Sequence, residues 1–308
     1  MNFGPYTSEE DAIRILDRAL DEGINFVDTA NVYGGSDNRG RTEEIIGRWF
    51  DQGGQRRKRT VLATKVFNPM NDSADGPNDD QGLSAFKIRR HIEGSLQRLK
   101  TDRVEIYQMA HIDRTALWDE LWSAFDGLIQ RGLVDYVGSS NFPGWQLVKA
   151  QAAAQRRNSL GVISEQHRYN LLCRLPELEL LPAAADLGIG VVSYSPLGGG
   201  LLGGKALSPS QGTRTGRERS RRQAERHRTQ LESFSSLCRE IGEPESVVAI
   251  AWTLRHPAVT ASVIGPRTEE QLTDAIRGAD ITLDEQTLVK LDSLFPGPGG
   301  ESPEAYAW

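Results

Sequence analysis

In Asn25-Phe26-Val27-Asp28-Thr29-Ala30-Asn31-Val32-Tyr33 an apolar pair, Phe26-Val27, runs into polar and ionisable groups, and Thr60-Val61-Leu62-Ala63-Thr64-Lys65 repeats the design with Val61-Leu62-Ala63. Such short β-branched runs recur along the chain and alternate with longer stretches of helical period, which is the signal of βα units and a parallel sheet. The pattern predicts strands at 25–29, 60–65, 103–110, 135–139, 162–166, 190–194 and 261–264. Helices are predicted at 8–22, 42–50, 83–99, 117–131, 144–157, 176–187 and 269–277, with a helix pair over 223–256. Ser8, followed by Glu9 and Glu10, is a plausible first cap. An open doubly wound sheet would carry a Gly-x-Gly-x-x-Gly turn after its first strand, and none occurs. The expected fold is therefore α/β, a (β/α)8 TIM barrel over residues 1–308. Because the chain opens with a helix, the first barrel strand and the hairpin before it are expected to be missing, or to survive only as residues 1–4. Such a barrel would leave two strand edges unpaired.

Composition sets limits on function. With 308 residues, 38% apolar and 25% charged, the chain can bury a large core. No stretch approaches the roughly 18 apolar residues of a membrane helix, and no basic-then-apolar leader opens it, so a cytoplasmic protein is expected. Two cysteines cannot build a disulfide framework or a structural zinc site. A net charge of −6 argues against nucleic acid as a partner. Between Lys205 and Arg228, however, stand eight Lys/Arg against two Glu. That block reads as a solvated loop or as a flap for phosphate groups.

A barrel's active site lies at the C-terminal ends of its strands. There stand Asp28 with Tyr33, Lys65, Ala110-His111, Ser139-Ser140-Asn141, Glu165-Gln166, Tyr194-Ser195-Pro196-Leu197 and Gly265-Pro266-Arg267. A tyrosine pKa near 10 suits proton transfer at neutral pH poorly, but a neighbouring ammonium stabilises the phenolate. Asp28 behind Lys65 would fix that ammonium and offset part of its burial. Tyr33 is then a general acid for a developing alkoxide; the plainer alternative is an ion pair closing the barrel mouth.

Asp28-Thr29-Ala30-Asn31-Val32-Tyr33-Gly34, Ala63-Thr64-Lys65, Gly138-Ser139-Ser140-Asn141-Phe142 and Tyr194-Ser195-Pro196-Leu197 together resemble the aldo-keto reductases. The resemblance is closest to bacterial members similar to the potassium-channel β-subunit branch, and it spans the chain. It implies an NADPH-dependent reductase of a small-molecule carbonyl, without a metal. Asp28, Tyr33 and Lys65 would be three members of a catalytic tetrad. Ser139, Asn141 and Gln166 would hold the nicotinamide carboxamide and Tyr194 would stack on its ring, with Ser195, Pro196 and Leu197 beside it. Gly199 would approach the pyrophosphate, and Lys205 and Arg267, helped by Arg214, would bind the 2′-phosphate. Two cations on that phosphate distinguish NADPH from NADH. Gly265 opens the segment that carries Arg267, and Gln271 would lie near the adenine ribose. Residues 198–222 would cover the cofactor.

Three departures stand out. The fourth tetrad member should be a His where Ala110 stands; His111 is adjacent but should face the other side of the strand unless its end bends. Loss of that group is expected to cost about 10²–10⁴-fold in carbonyl reduction. The smaller Ala110 could instead admit an enone for C=C reduction, or the barrel could serve as an NADPH-binding docking module with little turnover. The family's adenine-gripping Glu-Asn pair is replaced by Asp274-Ala275, of which only Asp274 can accept a hydrogen bond. The third departure is the missing first strand.

Several rivals are weaker. Residues 199–205 match P-loop spacing until Ala206, where a Mg²⁺-binding hydroxyl belongs. His111 and Asp113 lack a third metal ligand, and no Gly-x-Ser-x-Gly elbow exists. The acidic stretch 68–82, with Asp72, Asp75, Asp79 and Asp80, reads as a solvated loop above the Lys65 strand. Trp49, Trp118, Trp122, Trp145 and Trp252 are expected in the core or between helices. The tail 297–308, ending in Tyr306 and Trp308, could fold over the site.

Overall fold

The computed structural model describes residues 1–72, 76, 80–208 and 218–302. Seven strands form one sheet in sequence order: β1 (Phe26–Asp28), β2 (Val61–Val66), β3 (Val104–Met109), β4 (Val134–Ser140), β5 (Val162–Arg168), β6 (Gly190–Tyr194) and β7 (Val259–Val263). β1 pairs with β2, β2 with β3, β3 with β4 and β6 with β7, all parallel. Parallel strands in sequence order with helical crossovers are the arrangement of a (β/α)8 TIM barrel, here with seven strands among the described residues. Residues 1–4 add no strand to the sheet; Phe3 makes only an isolated bridge to Thr7. β2 is buried at five of its six positions, whereas all three residues of β1 and the last three of β7 are half-buried. That is the burial expected of strands standing at the two ends of the order.

The helices follow local signals. α1 (Glu9–Asp21) starts at Ser8, whose hydroxyl accepts from the Asp11 amide at 3.1 Å, with three acidic residues in its first turn. α4 (Ala85–Leu99) is capped in the same way by Ser84. Between and after these lie α2 (Arg41–Asp51), α3 (Arg56–Arg59), α5 (Trp118–Gln130), α6 (Gly144–Gln155) and α7 (Leu180–Asp186). The helix predicted over 176–187 is split: Pro176 sits in a 3₁₀ turn, and α7 starts two residues before Pro182, where a missing amide costs little. The pair predicted over 223–256 is three helices, α8 (Glu218–Arg226), α9 (Arg228–Ile241) and α10 (Glu245–Leu254). Gly242, at φ 80°, ends α9. α11 (Glu269–Asp280) was expected, and α12 (Glu285–Leu294), capped by Asp284, was not.

The chain divides into two compact units. Unit 1 holds Met1–Phe142, Gln146–Glu165 and Gly265–Leu272. Its core includes Trp49, Leu62, Tyr107, Trp122 and Phe125, with the Trp122 indole donating to the Ala150 carbonyl at 3.1 Å. Unit 2 holds Pro143–Trp145, Gln166–Ile264 and the chain from Thr273 onward. There Trp252 is fully buried, with the Arg255 guanidinium 4.1 Å and the Arg174 guanidinium 5.2 Å from its ring centroid. Trp118 stacks on Trp122, as expected. Trp145 corrects the expectation: in the first turn of α6 it is 50% exposed, because helical spacing alone does not say which face is covered.

The tail is tied to the stretch that precedes α7. The Ser302 amide donates to the Leu178 carbonyl at 2.9 Å, and Arg174 donates to the Phe295 carbonyl at 2.8 Å. Tyr306 and Trp308 lie outside the described residues, as do Asp75, Asp79 and Arg214. Of the stretch expected to cover the cofactor, 198–200 is a 3₁₀ turn and residues from Glu218 onward are helical.

Candidate functional site

In unit 1, three polar side chains of neighbouring strands meet, two of them as register partners. Asp28 ends β1, Lys65 lies on β2, and Gln108 is its partner on β3. The Lys65 ammonium donates to both Asp28 oxygens at 2.7 and 2.6 Å and to the Thr29 carbonyl at 2.8 Å. Gln108, 2% exposed, donates its amide to Asp28 Oδ1 at 2.9 Å. Its room comes from Gly138, its register partner on β4: a Cβ there would lie 2.9 Å from Gln108 Cγ and from Ser164 Oγ. Burial pushes the Lys65 pKa down, but the Asp28 carboxylate and then Tyr33 push harder in the other direction. The result is an ammonium held above its ordinary value.

Tyr33 is carried by the loop between β1 and α2. Its amide donates to the Ala30 carbonyl at 3.0 Å, and its carbonyl accepts from the Thr42 amide at 3.0 Å. At Gly34, φ is 142° and a Cβ would fall 2.1 Å from the Asn38 carbonyl, so only glycine allows the fold-back that follows Tyr33. Asn31, buried in the same loop, joins its amide nitrogen to Nδ1 of buried His91 on α4 at 2.9 Å. The Lys65 ammonium stands 5.1 Å from the centroid of the Tyr33 ring.

β3 ends at Met109, so Ala110 and His111 leave the strand. The Ala110 amide still donates to the Val66 carbonyl at 3.0 Å, and its carbonyl accepts from Asn141 Nδ2 at 2.9 Å. His111 sets its ring edge against Phe67, with centroids 5.1 Å apart. Asp113, once paired with it as a possible metal ligand, accepts from the Leu83 and Thr115 amides and the Thr115 hydroxyl instead. No group of three or more His, Cys, Asp or Glu among the described residues could hold a metal ion.

Ser139, the last residue but one of β4, is fully buried, and Asn141 follows the strand with φ 61°. Glu165 on β5, also fully buried, accepts from the Ser139 hydroxyl and, at 3.0 Å, from the Phe142 amide. The post-β7 turn of unit 1 places Gly265, whose carbonyl accepts from Asn2, and a half-buried Arg267. The Gln271 side chain accepts from the Arg267 amide at 2.9 Å.

Unit 2 carries the remaining candidates. Gln166 is buried, and Tyr194 is half-buried at the end of β6. Ser195, at φ 56°, accepts from Asn170 Nδ2 at 2.8 Å. Pro196 is buried and Leu197 half-buried before the 3₁₀ turn that holds Gly199. Lys205 is exposed, and Asp274 accepts from the Ser246 hydroxyl at 3.1 Å.

Sequence reasoning assigned no role to Gln108, and quoted Glu165 only as a strand end. The alternation of faces along a strand puts Gln108 on the side of Ala110, which was a usable signal. Nothing local marks Glu165, whose partners lie 23 and 26 positions away.

Comparison with known proteins identifies the family. Residues 1–295 match the model of the aldo/keto reductase family. The chain is 60% identical over 308 residues to the uncharacterized oxidoreductase YrpG of Bacillus subtilis (strain 168), covering all of this chain and 94% of that protein. It is 32% identical to a probable voltage-gated potassium channel subunit beta of Arabidopsis thaliana, over 99% of this chain and 93% of the relative. With versiconal hemiacetal acetate reductase of Aspergillus parasiticus it shares 26% identity over 94% of this chain and 88% of the relative. A strand-ordered α/β sheet with a buried Asp–Lys pair beside a tyrosine, matched from end to end by such relatives, means that the chain belongs to the aldo/keto reductase family.

Proposed function

We propose that the chain reduces an aldehyde or ketone to an alcohol with NADPH, using Tyr33 as general acid, and that Ala110 limits its turnover. The observation that carries this reading is the buried Lys65–Asp28 pair beside Tyr33. The residues fit a nicotinamide nucleotide. Asn141 brings an amide to the end of β4 for a carboxamide, and Arg267 brings a guanidinium for a 2′-phosphate; the hydroxyl of Ser139, which the resemblance also assigns to the carboxamide, is buried and donates to Glu165. In unit 2, Gln166, Tyr194, Ser195, Pro196, Leu197, Gly199, Lys205 and Asp274 are the further cofactor residues that the family resemblance assigns.

Bound NADPH would supply the hydride. Tyr33 gives its hydroxyl proton to the developing alkoxide, and the Lys65 ammonium stabilises the phenolate left behind. Asp28 keeps that ammonium charged and aimed, and Gln108 stops the carboxylate from turning. Ala110 offers no ring to orient the carbonyl. The Ser246 contact leaves Asp274 a divided acceptor for an adenine amine.

The test is loss of NADPH absorbance with a panel of aldehydes, quinones and enones. Ala110→His is expected to raise kcat/KM for aldehydes about 10²–10⁴-fold; no gain would remove the impairment from the reading. Activity confined to enones would move it to C=C reduction, for which the small Ala110 leaves space. Tight NADPH binding without hydride transfer would favour a docking module, the kind of role that the name of the Arabidopsis thaliana relative suggests.

A further inference from the structure

Glu165 is a fully buried carboxylate that the chemistry above does not use. Burying an ionisable group without partners is costly, and both its oxygens accept hydrogen bonds. The Ser139 hydroxyl donates to Oε2, and the Phe142 amide donates to Oε1 at 3.0 Å. These two donors bracket the last two residues of β4 and the bend at Asn141 that leaves it, a stretch we call the β4 exit. Within it Asn141 occupies the left-handed region at φ 61°, a conformation that costs a non-glycine residue free energy and persists only where its surroundings impose it. Asn141 Nδ2 is held in addition by the Ala110 carbonyl at 2.9 Å and the Ser140 hydroxyl at 3.0 Å. One carboxylate thus grips the β4 exit at both ends, and the left-handed residue lies between them.

We propose that Glu165 is a positioning residue for cofactor binding: holding the Ser139 hydroxyl and the Phe142 amide, it presets the β4 exit so that Asn141 between them meets the nicotinamide carboxamide without reorganisation. The inference rests on the cofactor reading above. Glu165 acts through the β4 exit and touches no cofactor atom. Its removal lowers the population of the competent conformation, and a population falling to about 1–10% weakens apparent affinity about 10- to 100-fold. The loss is confined to the nicotinamide end. The 2′-phosphate and adenine-ribose contacts assigned to Arg267 and Gln271 do not pass through this stretch.

The test compares Kd for NADPH with Kd for 2′,5′-ADP, which lacks the nicotinamide, in the unmodified protein, Glu165→Ala and Glu165→Gln. Glu165→Ala is expected to weaken NADPH about 10- to 100-fold and to leave 2′,5′-ADP within about two-fold. Glu165→Gln, which keeps an oxygen for the Phe142 amide and a side chain of the same reach, is expected to bind NADPH within about three-fold of the unmodified protein. If Glu165→Ala does not fold, Glu165→Asp, too short to span both donors, reads the same split. Equal losses for both ligands, or no loss for either, overturns the inference while leaving the cofactor reading intact. No NADPH binding by the unmodified protein overturns both.

Discussion

Asp28→Asn removes one charge from a pair whose side chains are 4% and 6% exposed. In the unmodified protein the Lys65 pKa is raised, so the pair's contribution to stability is complete below the ordinary lysine value and is lost only as pH rises through the raised one. Asparagine keeps an oxygen for the Lys65 ammonium but no charge. Breaking a buried pair costs about 3–5 kcal/mol, and a retained neutral hydrogen bond returns about 1 kcal/mol. The expected loss at pH 7 is thus about 2–4 kcal/mol. With the carboxylate gone, burial dominates and the Lys65 pKa falls below its ordinary value. The variant then gains stability as pH rises between that lowered value and the ordinary one, and its deficit narrows. Equilibrium urea unfolding followed by tryptophan fluorescence, at three pH values from neutral to mildly alkaline, measures this directly. Lys65→Met and the double variant complete a cycle in which the double should cost at least about 2 kcal/mol less than the sum of the singles. A loss under about 1 kcal/mol at pH 7, or a deficit constant with pH, would refute the reasoning.

Arg174→Met should destabilise by about 1–3 kcal/mol in thermal or urea unfolding, because Arg174 grips Glu177 with two nitrogens at 2.8 and 3.0 Å and both side chains are 11–12% exposed. Burial raises the Glu177 pKa, but Arg174 and Tyr169 more than reverse it, so this stability is present above the ordinary glutamate value and lost as pH falls through the lowered one. In the variant the acid loss should begin at higher pH; an unshifted acid limb would contradict the assignment. Gly138→Ala should cost about 1–3 kcal/mol in the same assay, since its methyl meets Gln108 and Ser164 at 2.9 Å. A neutral effect would show that Gln108 can move without consequence.

Asp28, Tyr33 and Lys65 were legible because each ends or follows a strand in a pattern of βα units, and barrels place chemistry at those ends. The side-by-side placement of Lys65 and Gln108 was not, because it comes from the register of two strands more than 40 residues apart in sequence. The first half of α8, residues 218–222, was read as loop because the helix is mostly charged and buries only Ala224, leaving no apolar stripe to detect. α12 lacked a strong stripe too, although the Asp284 cap preceding it was a readable start. His111 illustrates a different limit. Alternation predicts its direction only while the strand continues, and β3 stops at Met109.

Asn141 and Ser195 each stand one residue past a strand, β4 and β6, in a left-handed conformation that suits glycine better. Relieving such strain gains roughly 1 kcal/mol per site, after the extra freedom glycine gives the unfolded chain is subtracted. Selection for heat resistance alone therefore has two easy steps open to it, each one residue past the end of a strand. Taking the first would delete the Asn141 amide and its tie to the Ala110 carbonyl. Durability and competence are set against each other at that residue, so a hardier descendant of this protein is a natural place to find a weaker one.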